Sequence, residues 1–484
     1  MTLARDRKQL TTALDGARAR YALRFPLQKS GVLVVDLDPE AANLERARAA
    51  LAAMPAKGPW RQFASWLATT PRPPTHTASN VLLTTTLVTG TPATGDGDEA
   101  ALLAAIAEAP DDDAPRLVYA DLLTARGDPR GELIVLQCRK AAGDSNARLT
   151  KRVEAMLATG WKAYAGELAP YAHSGAFRRG FVHSVSMTVA AFAKLGAHVF
   201  GALPTHTLAV ANEKLTEADV AKLAANPVLA RVRGLHISQG YDASERAPLG
   251  PLGAAPFWRL EEIDLHDCGH SSDDWTKLFA HLKAPKLTSI RLHRNYTSAN
   301  IQSWIASNAS LSNIRHLHES VSGSLDTELH TRDAYELLAV NRAIELLSIE
   351  GNQLVDDYTL APMFARDTKA ALKTLHLGMT GVTNKLLHTI AGSPKAKLLE
   401  YVEINDEGAV TIDGLRALLD TATNLEYLGV TSYTWSREAS NELAALLLAL
   451  PADRPLKRIA LPHCRDGSDD ASPELNARFV VEGY

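Results

Sequence analysis

The chain has 484 residues, of which 46% are hydrophobic and 22% are charged, a composition typical of a folded globular protein and too apolar for a disordered one. The 51 basic and 55 acidic residues leave a formal net charge of −4, which provides no basic excess for a nucleic acid or an anionic membrane. Three scattered cysteines exclude a disulfide framework, and no cysteine–histidine cluster indicates zinc. Without a signal peptide or a long apolar run, a cytoplasmic protein is expected.

Residues 1–97 have the pattern of a small α+β domain that ends in a flexible linker. Apolar periodicity and turn residues separate its elements, and its last stretch is rich in Thr, Pro and Gly. The expected helices cover 4–22, 39–51 and about 60–67, and the expected strands cover 32–37 and 81–88.

The strand at 32–37 ends in a pair of carboxylates that we consider as a catalytic candidate. Asp36 and Asp38 have the spacing with which aspartyl-phosphate phosphatases hold a nucleophile and a general acid. Those enzymes have Thr or Val where this chain has Glu40, and their core needs more than 97 residues. A helix that begins at Asp38 is therefore favoured, and a phosphoester- or nucleotide-related activity of residues 1–97, targeted to a protein by the rest of the chain, is the alternative.

Residues 98–142 have the pattern of a compact helical domain. A first apolar helix face is broken at Pro110, and the acidic residues Asp111 to Asp113 suit the positive N-terminal end of a second helix. The run Gly127-Asp128-Pro129 then separates the second helix from a third. Three short helices are therefore expected.

Two stretches of this region resemble the bacterial "repeat-companion" domain, which accompanies leucine-rich repeats in myxobacteria and planctomycetes. The first runs from Pro110 to Leu122 and continues from Arg126 to Gln137, with Leu122 where the family usually has Trp. The second, Arg179-Gly180-Phe181-Val182, is similar to the segment through which such proteins enter their repeats. The resemblance implies a neighbouring repeat array and carries no activity with it.

Residues 143–200 are expected to connect and cap this array, and residues 201–464 to form it. From residue 232 an apolar triplet returns every 28 residues on average, since (456 − 232)/8 = 28. A degenerate earlier unit is expected at Leu203-His206-Leu208. The copies are Val232-Leu235-Ile237, Leu260-Ile263-Leu265, Leu287-Ile290-Leu292, a blurred copy near Leu311-Ile314, Ile344-Leu347-Ile349, Leu372-Leu375-Leu377, Leu399-Val402-Ile404, Leu425-Leu428-Val430 and Leu456-Ile459-Leu461.

Each unit of this array predicts one strand followed by one helix. The last two apolar residues of a triplet alternate with a polar one, as in a strand with one buried face. A small or polar residue three positions later is expected to turn inward and bind backbone groups. The residues at that position are Cys268, Asn295, Asn352, Thr380 and Cys464.

The stretch from Leu260 to Cys268 and its copy ending at Asn295 resemble leucine-rich repeats, and the period is similar to that of the long subtype typified by ribonuclease inhibitor. The resemblance implies an α/β solenoid with parallel strands on its concave side and helices on its convex side. Residues 465–484 would form a C-terminal tail or cap.

The concave face is the candidate binding surface, because the variable residues of each strand alternate with the apolar ones. His266 and His293 occupy the same position in successive repeats, about 5 Å apart, but no third ligand completes a metal site. The candidate partner-binding residues are His236, Glu262, Asp264, His266, Arg291, His293, Glu350, His376, Tyr401, Glu403, Asn405 and Tyr427.

The length of this face favours a macromolecule, since nine strands at about 4.8 Å exceed a small substrate. Mixed charge argues against nucleic acid, and Tyr401, Tyr427 and Arg291 are the expected anchors for a protein. We therefore expect a non-enzymatic scaffold without cofactor or metal that binds a protein and neither nucleic acid nor membrane. A solvated lining with no role of its own is the competing interpretation. Binding through His266 and His293 would make affinity depend on pH between about 5.5 and 7.

Overall fold

The structure is a computed structural model. It divides into two compact units, Met1–Val185 with Gly201–Thr205 and Ser186–Phe200 with His206–Tyr484. None of the helices among the described residues has the length and hydropathy that crossing a lipid bilayer requires. The described residues are 12–18, 21–27, 32–37, 46–47, 49–50, 76–78, 81–84, 96–144, 146–211, 215–240, 246–268, 271–295, 301–320, 331–405, 409–431, 436–461 and 473–482.

The first unit contains a four-stranded sheet with the order β1-β2-β4-β3. The first two strands pair antiparallel, β2 pairs parallel with β4, and β3 pairs antiparallel with β4. The strand expected at 32–37 is present as β2, and the one expected at 81–88 is present as β4 over its described residues, 81–84. The bounds are β1 (Tyr21–Leu27), β2 (Val32–Leu37), β3 (His76–Ala78) and β4 (Val81–Thr84).

The helix expected at 4–22 is wrong at its C-terminal end. Residues 12–16 are helical, but a strand already begins at Tyr21. Every second residue from Tyr21 to Leu27 is aromatic or aliphatic, a period of two that favours a strand and outweighs the helical pattern before it. Outside the described residues lie Asp38, the helix expected about 60–67 and most of the helix expected at 39–51.

Four helices follow in the first unit, and the first three correspond to the helices expected between 98 and 142. The second begins where the carboxylate of Asp112 accepts a hydrogen bond from the Ala114 N–H at 2.9 Å. Its end is followed by Gly127, which has a φ of 76°. The bounds are α1 (Asp96–Glu108), α2 (Asp113–Ala125), α3 (Arg130–Ala141) and α4 (Ala147–Ala165). Their shared core contains Ile106, Tyr119, Ala120, Leu123, Ile134, Val135, Cys138 and Phe181.

A hairpin of β5 (Phe177–Arg178) and β6 (Phe181–Val182) packs against α3. Gly180 turns the hairpin with a φ of 82°, and a Cβ there would lie 2.6 Å from the Cα of Ile134. The side chain of Gln137 accepts a hydrogen bond from the Gly180 N–H at 2.7 Å and donates one to the Phe177 carbonyl at 3.3 Å. The two stretches that resemble the companion domain thus contact each other, and their glycine and glutamine shape this contact.

A twelve-stranded sheet, whose strands follow one another in sequence order, forms the second unit from its β7 edge onward. All pairs from β8 to β18 are parallel, and helices or short 3-10 turns connect the strands. The strands are β7 (Ser184–Met187), β8 (Thr207–Val210), β9 (Gly234–Ser238), β10 (Glu262–His266), β11 (Ser289–His293), β12 (His316–Ser320), β13 (Leu346–Glu350), β14 (Thr374–Gly378), β15 (Tyr401–Asn405), β16 (Tyr427–Thr431), β17 (Arg458–Ala460) and β18 (Val480–Glu482).

Helices accompany most of these strands, and the predicted strand–helix repeat is therefore present. In the helix after β10, Trp275 and Phe279 stack with ring centroids 5.7 Å apart and are buried. The helices are α5 (Val189–Val199), α6 (Glu217–Ala224), α7 (Ser272–Phe279), α8 (Ile301–Ser307), α9 (Arg332–Asn341), α10 (Asp357–Leu360), α11 (Asn384–Ala391), α12 (Ile412–Thr421), α13 (Arg437–Ala449) and α14 (Pro473–Arg478).

Two rows of aliphatic side chains run along the buried face of this sheet. In β10 they are Ile263 and Leu265, both fully buried, and their register partners in β11 are Ile290 and Leu292. Burying each such side chain contributes roughly 1.5–3 kcal/mol to the free energy of folding. The sheet is thus held by stacked repeats rather than by any repeat alone.

The chain leaves several strands through the same left-handed turn, after which a polar or small side chain points inward. The side-chain amide of Asn295 donates to the Leu265 carbonyl at 2.8 Å, and its oxygen accepts from the Cys268 N–H at 2.7 Å. The inward turn expected for Cys268, Asn295 and Asn352 is confirmed, since all three are buried. Thr380 is only partly buried, and its hydroxyl oxygen has no hydrogen-bond partner among the described residues, while Cys464 lies outside them. The left-handed residues are Asp267, Arg294, Gly351 and Met379, with φ between 48° and 75°.

Side chains of one repeat also bind carbonyl groups at the end of the preceding helix. Buried Arg342 donates to the carbonyls of Ile305 at 3.1 Å and Asn308 at 2.7 Å, where α8 ends. The side chain of Asn308 in turn donates to the carbonyls of Phe279 at 2.8 Å and Leu282 at 2.9 Å, one repeat earlier. These bonds satisfy acceptors that a helix end leaves open, and they join successive repeats.

The repeat predicted near Leu311-Ile314 lies three residues further along the chain. The register of β12 places Leu317 beside the corresponding apolar residues of β11 and β13, so the triplet is Ile314-Leu317-Glu319. Leu311 instead ends a 3-10 turn. The prediction was wrong because the third apolar position of this repeat holds a glutamate. This stretch is therefore a repeat of the sheet with one polar substitution.

The first repeat of the array also differs from the prediction, whereas its last strand agrees with an expected cap. Leu208 pairs with Leu235, so the earliest triplet is Thr205-Leu208-Val210 rather than Leu203-His206-Leu208. At the other end, β18 pairs with β17, so part of the segment expected as a tail or cap supplies the last strand of the sheet, as a cap would.

Candidate functional site

The second surface of the sheet, which we call the open face, consists of the strand residues that alternate with the buried aliphatic rows. In β10, for example, Glu262, Asp264 and His266 are half-buried while the residues between them are fully buried. All twelve candidate residues lie at such positions: His236, Glu262, Asp264, His266, Arg291, His293, Glu350, His376, Tyr401, Glu403, Asn405 and Tyr427.

His266 and His293 are register partners, as expected, with ring centroids 6.1 Å apart. Each imidazole lies beside a carboxylate: His266 Nδ1 is 2.9 Å from Asp267 Oδ2, and His293 Nε2 is 3.9 Å from Asp264 Oδ1. In the part of the chain that the structure describes, no group of three or more His, Cys, Asp or Glu side chains is arranged to hold a metal ion. The pair is thus a polar patch flanked by carboxylates.

The next strand, β12, adds two histidines that the sequence analysis missed. His316 and His318 lie on the open face, with His318 beside Arg291 in the register. Burial, and in smaller part the nearby charges of Arg291 and three other histidines, lower the pKa of His318 to about 4. This side chain is therefore neutral at pH 7. The misplaced triplet hid both histidines, although their alternation around Leu317 is the signal that could have found them.

Glycines on the open face make room for glutamates of neighbouring strands. A Cβ on Gly378 would lie 3.1 Å from Cγ of Glu350, and a Cβ on Gly429 would lie 3.1 Å from Cγ of Glu403. Gly234 has the same relationship to Glu262, whose Oε1 would be 2.8 Å away. The side chains of three candidate glutamates therefore pack over glycines of neighbouring strands.

An aromatic stack crosses the C-terminal part of the open face. Tyr401 and Tyr427 are register partners, with ring centroids 4.1 Å apart and ring planes 6° apart. The guanidinium of Arg458 lies 5.3 Å from the centroid of Tyr427, so Tyr427 is enclosed and only 3% exposed. The hydroxyl of Tyr401 donates to Glu403 Oε2 at 2.5 Å, and burial together with this carboxylate raises the pKa of Tyr401. The stack is rigid and presents Tyr401 as its half-exposed end.

Ion pairs line the N-terminal ends of several strands. Glu261 lies 2.6 Å from Arg233 and 3.5 Å from His206, and Glu345 lies 3.7 Å from Arg315 and 3.6 Å from Lys373. Burial opposes the ionisation of Glu261, but hydrogen bonds from His206 and Arg233 outweigh it and lower the pKa of that carboxyl. These pairs join successive repeats along one edge of the open face.

The described cysteines do not provide a nucleophile. Cys138 and Cys268 are both buried free thiols. Burial raises the pKa of Cys268 to about 12 and that of Cys138 in the same direction, so both stay protonated at neutral pH. Asp36 lies next to the last residue of β2, and Asp38 lies outside the described residues.

No protein-family description matches the chain, and no curated protein matches it. Among solved structures the chain is similar to one described as the crystal structure of the Rad7 and Elc1 complex in yeast. The TM-score is 0.43 with 12% identity, covering 75% of this chain and 95% of the other. A likeness this distant transfers neither a partner nor an activity. The repeated strand–helix units and their twelve-stranded sheet give this chain an α/β repeat fold of the leucine-rich-repeat type.

Proposed function

We propose that the open face binds a protein partner and that the chain is a non-enzymatic interaction scaffold. The observation that carries this proposal is the length of the face. Eleven strand spacings of about 4.8 Å give roughly 50 Å of continuous sheet. Small molecules are normally held in pockets that enclose most of their surface, whereas a face of this length matches the side of a protein.

Two parts of the open face have the chemistry of interface anchors. Tyr401 ends a rigid stack, so it can be covered by a partner without losing much conformational freedom. Arg291 is exposed and lies beside the neutral imidazole of His318. Tyrosine and arginine are the residue types that most often dominate the energy of protein interfaces. Tyr427 supports Tyr401 from below and is too enclosed to touch a partner itself.

The charges of the open face favour a protein over a nucleic acid. Among the described side chains of this face, four carboxylates accompany two arginines, and the histidine whose pKa is lowered most is neutral at pH 7. A phosphate backbone requires a continuous basic surface. The carboxylates at this face are Glu262, Asp264, Glu350 and Glu403, and the arginines are Arg291 and Arg458.

The finer assignments are also part of the proposal. We infer that the helical module is a bacterial repeat-companion domain, because the residues that resemble that domain build the contact between α3 and its hairpin. We infer in addition a cytoplasmic protein with repeats of the ribonuclease-inhibitor-like subtype. The proposed domains are 1–97 (α+β), 98–142 (companion), 143–200 (connecting and capping), 201–464 (repeats) and 465–484 (tail or cap).

The test is affinity capture from lysate of the source cell with three forms of the full chain. These are the wild type, the double variant Arg291→Ala/Tyr401→Ala, and a matched control, Arg416→Ala/Tyr358→Ala. The control residues are exposed and lie on helices rather than on the open face. A partner of the open face is retained by the wild type and the control and lost from the double variant.

The proposal fails if every protein captured by the wild type is also captured by the double variant. Circular dichroism of the three forms shows whether the double variant is folded, which separates loss of an anchor from loss of the sheet. Capture that depends equally on both pairs would place the binding surface outside the open face.

A further inference from the structure

A carboxyl group occupies an apolar position inside the sheet. Glu319 of β12 pairs with Leu292 of β11 and Ile349 of β13, and both of these neighbours are fully buried. Glu319 is itself only 3% exposed. The buried aliphatic row is thus interrupted by an ionisable side chain in the middle of the array.

Two polar side chains that carry no charge at neutral pH lie beside Glu319. The side-chain amide of Gln302, in α8, lies 2.8 Å from each carboxyl oxygen and donates to the group. Tyr335, in α9, is fully buried next to it, and its own pKa is raised well above 10 by burial and by Glu319, so the phenol stays neutral.

This environment favours the protonated acid. Burial raises the pKa of Glu319 to about 7, and the hydrogen bond from Gln302 opposes this only in part. The carboxyl therefore changes charge near neutral pH, within a core where a charge is poorly solvated.

On the opposite face of the same strand, His318 does not titrate in that range. His318 faces Arg291, His293, His316 and His376, and burial together with these groups holds its pKa at about 4. His316 also has a lowered pKa, mainly because of burial. Glu319 is therefore the group of β12 whose ionisation near neutral pH places a charge within the buried aliphatic row.

We propose that β12 is a pH-dependent element of the sheet, which packs firmly between β11 and β13 when Glu319 is protonated and opens more readily when Glu319 is ionised. The folded chain binds this proton more tightly than the unfolded chain does, where a glutamate titrates near 4.5. Stability must then fall as the pH rises from about 4.5 to about 7, and level off above that range. The inference concerns the sheet itself and holds whether or not the open face binds a protein.

The experiment is hydrogen exchange of the full chain between pH 5.5 and pH 8, expressed as protection factors for the amides of residues 316–320. The wild type should lose protection by roughly 30-fold across this range, as follows from titration at 4.5 when open and about 7 when closed. Glu319→Gln keeps the shape and the amide contact without the charge, and Glu319→Leu restores the aliphatic row. Both variants should change by less than about threefold. Glu350→Gln, on the neighbouring strand but exposed, should behave as the wild type.

A wild-type loss of protection no larger than that of Glu319→Gln would overturn the proposal. The same conclusion would follow if Glu350→Gln removed the pH dependence, since the exposed carboxylate would then be responsible. Because Glu319→Gln is nearly isosteric, a failure of Glu319→Leu to fold would leave the comparison intact.

Discussion

The side-chain oxygen of Asn295 accepts a hydrogen bond from the backbone N–H of Cys268, one repeat earlier, at 2.7 Å. The same side chain donates to the Leu265 carbonyl at 2.8 Å, and all of these groups are buried. One asparagine thus satisfies two backbone groups of the preceding turn, where the chain leaves β10 and cannot form ladder bonds. The repeats are joined by such bonds as well as by their aliphatic rows.

We expect Asn295→Ala to lower the free energy of unfolding by about 2–4 kcal/mol, because it leaves a buried donor and a buried acceptor without partners. The measurement is chemical denaturation monitored by circular dichroism. Asn313→Ala is the matched control: its side chain also donates to a carbonyl one repeat earlier, that of Pro285, but on the exposed surface. The control should cost less than about 1 kcal/mol, and equal losses would contradict the role of burial.

Gly180→Ala should destabilise the helical part of the first unit by more than about 3 kcal/mol. The residue combines a φ of 82° with a Cβ position that overlaps Ile134 of α3. Gly143→Ala provides the comparison, since Gly143 has a φ of 94° but no atom within 4 Å of the added Cβ. Thermal unfolding of both variants separates the two effects, because both carry the backbone strain of a positive φ but only Gly180→Ala adds a steric overlap. A Gly180 variant as stable as the Gly143 variant would show that the hairpin does not pack on α3 in this way.

Arg342→Ala should cost about 2–4 kcal/mol of stability and increase hydrogen exchange at the end of α8. The guanidinium is buried and donates to the carbonyls of Ile305 and Asn308, which would be left without these donors. Arg416, whose side chain is 52% exposed beside Glu442, gives the control. Its replacement by alanine should change stability by less than about 0.5–1 kcal/mol. Similar losses for both arginines would contradict the capping role.

Gly429→Ala should weaken the binding of a partner to the open face without unfolding the sheet. The added Cβ would lie 2.9 Å from the hydroxyl of Tyr427 and 3.1 Å from Cγ of Glu403, so the tyrosine stack has to shift. In Gly378→Ala the atom nearest to the added Cβ is Cγ of the flexible Glu350 side chain, at 3.1 Å, which can move away. We expect about a tenfold loss of affinity for the first variant and less than threefold for the second. Equal affinities for wild type and Gly429→Ala would show that the stack of Tyr401 and Tyr427 does not contribute to binding.

The sequence predicted the repeat architecture because burial imposes a strict spacing on it. Each triplet places two aliphatic residues on one side of a strand, and this requirement is visible without any structure. The prediction failed at β12. Because Glu319 occupies an aliphatic position there, the triplet was predicted three residues too early in the chain. It failed at β1 as well, where a period of two begins within a segment that otherwise has a helical pattern.

The candidate site was predicted in position but not in its interactions. Alternation along the strands was sufficient to place the twelve residues on the open face. It could not show that Arg458 encloses Tyr427, or that Glu403 lies across Gly429, because these contacts depend on side-chain directions between neighbouring strands. The role of these residues in binding stays a prediction.

The central claim, that a protein binds the open face, is tested most directly by site-specific cross-linking in the source cell. A photoreactive phenylalanine analogue would replace Thr374, which is the register partner of Tyr401, and in a second form Lys397, which lies in a 3-10 turn away from the strands. The account predicts a discrete cross-linked protein from position 374 that disappears when Tyr401 is changed to alanine, and none from position 397. Cross-links from position 397 alone would contradict it.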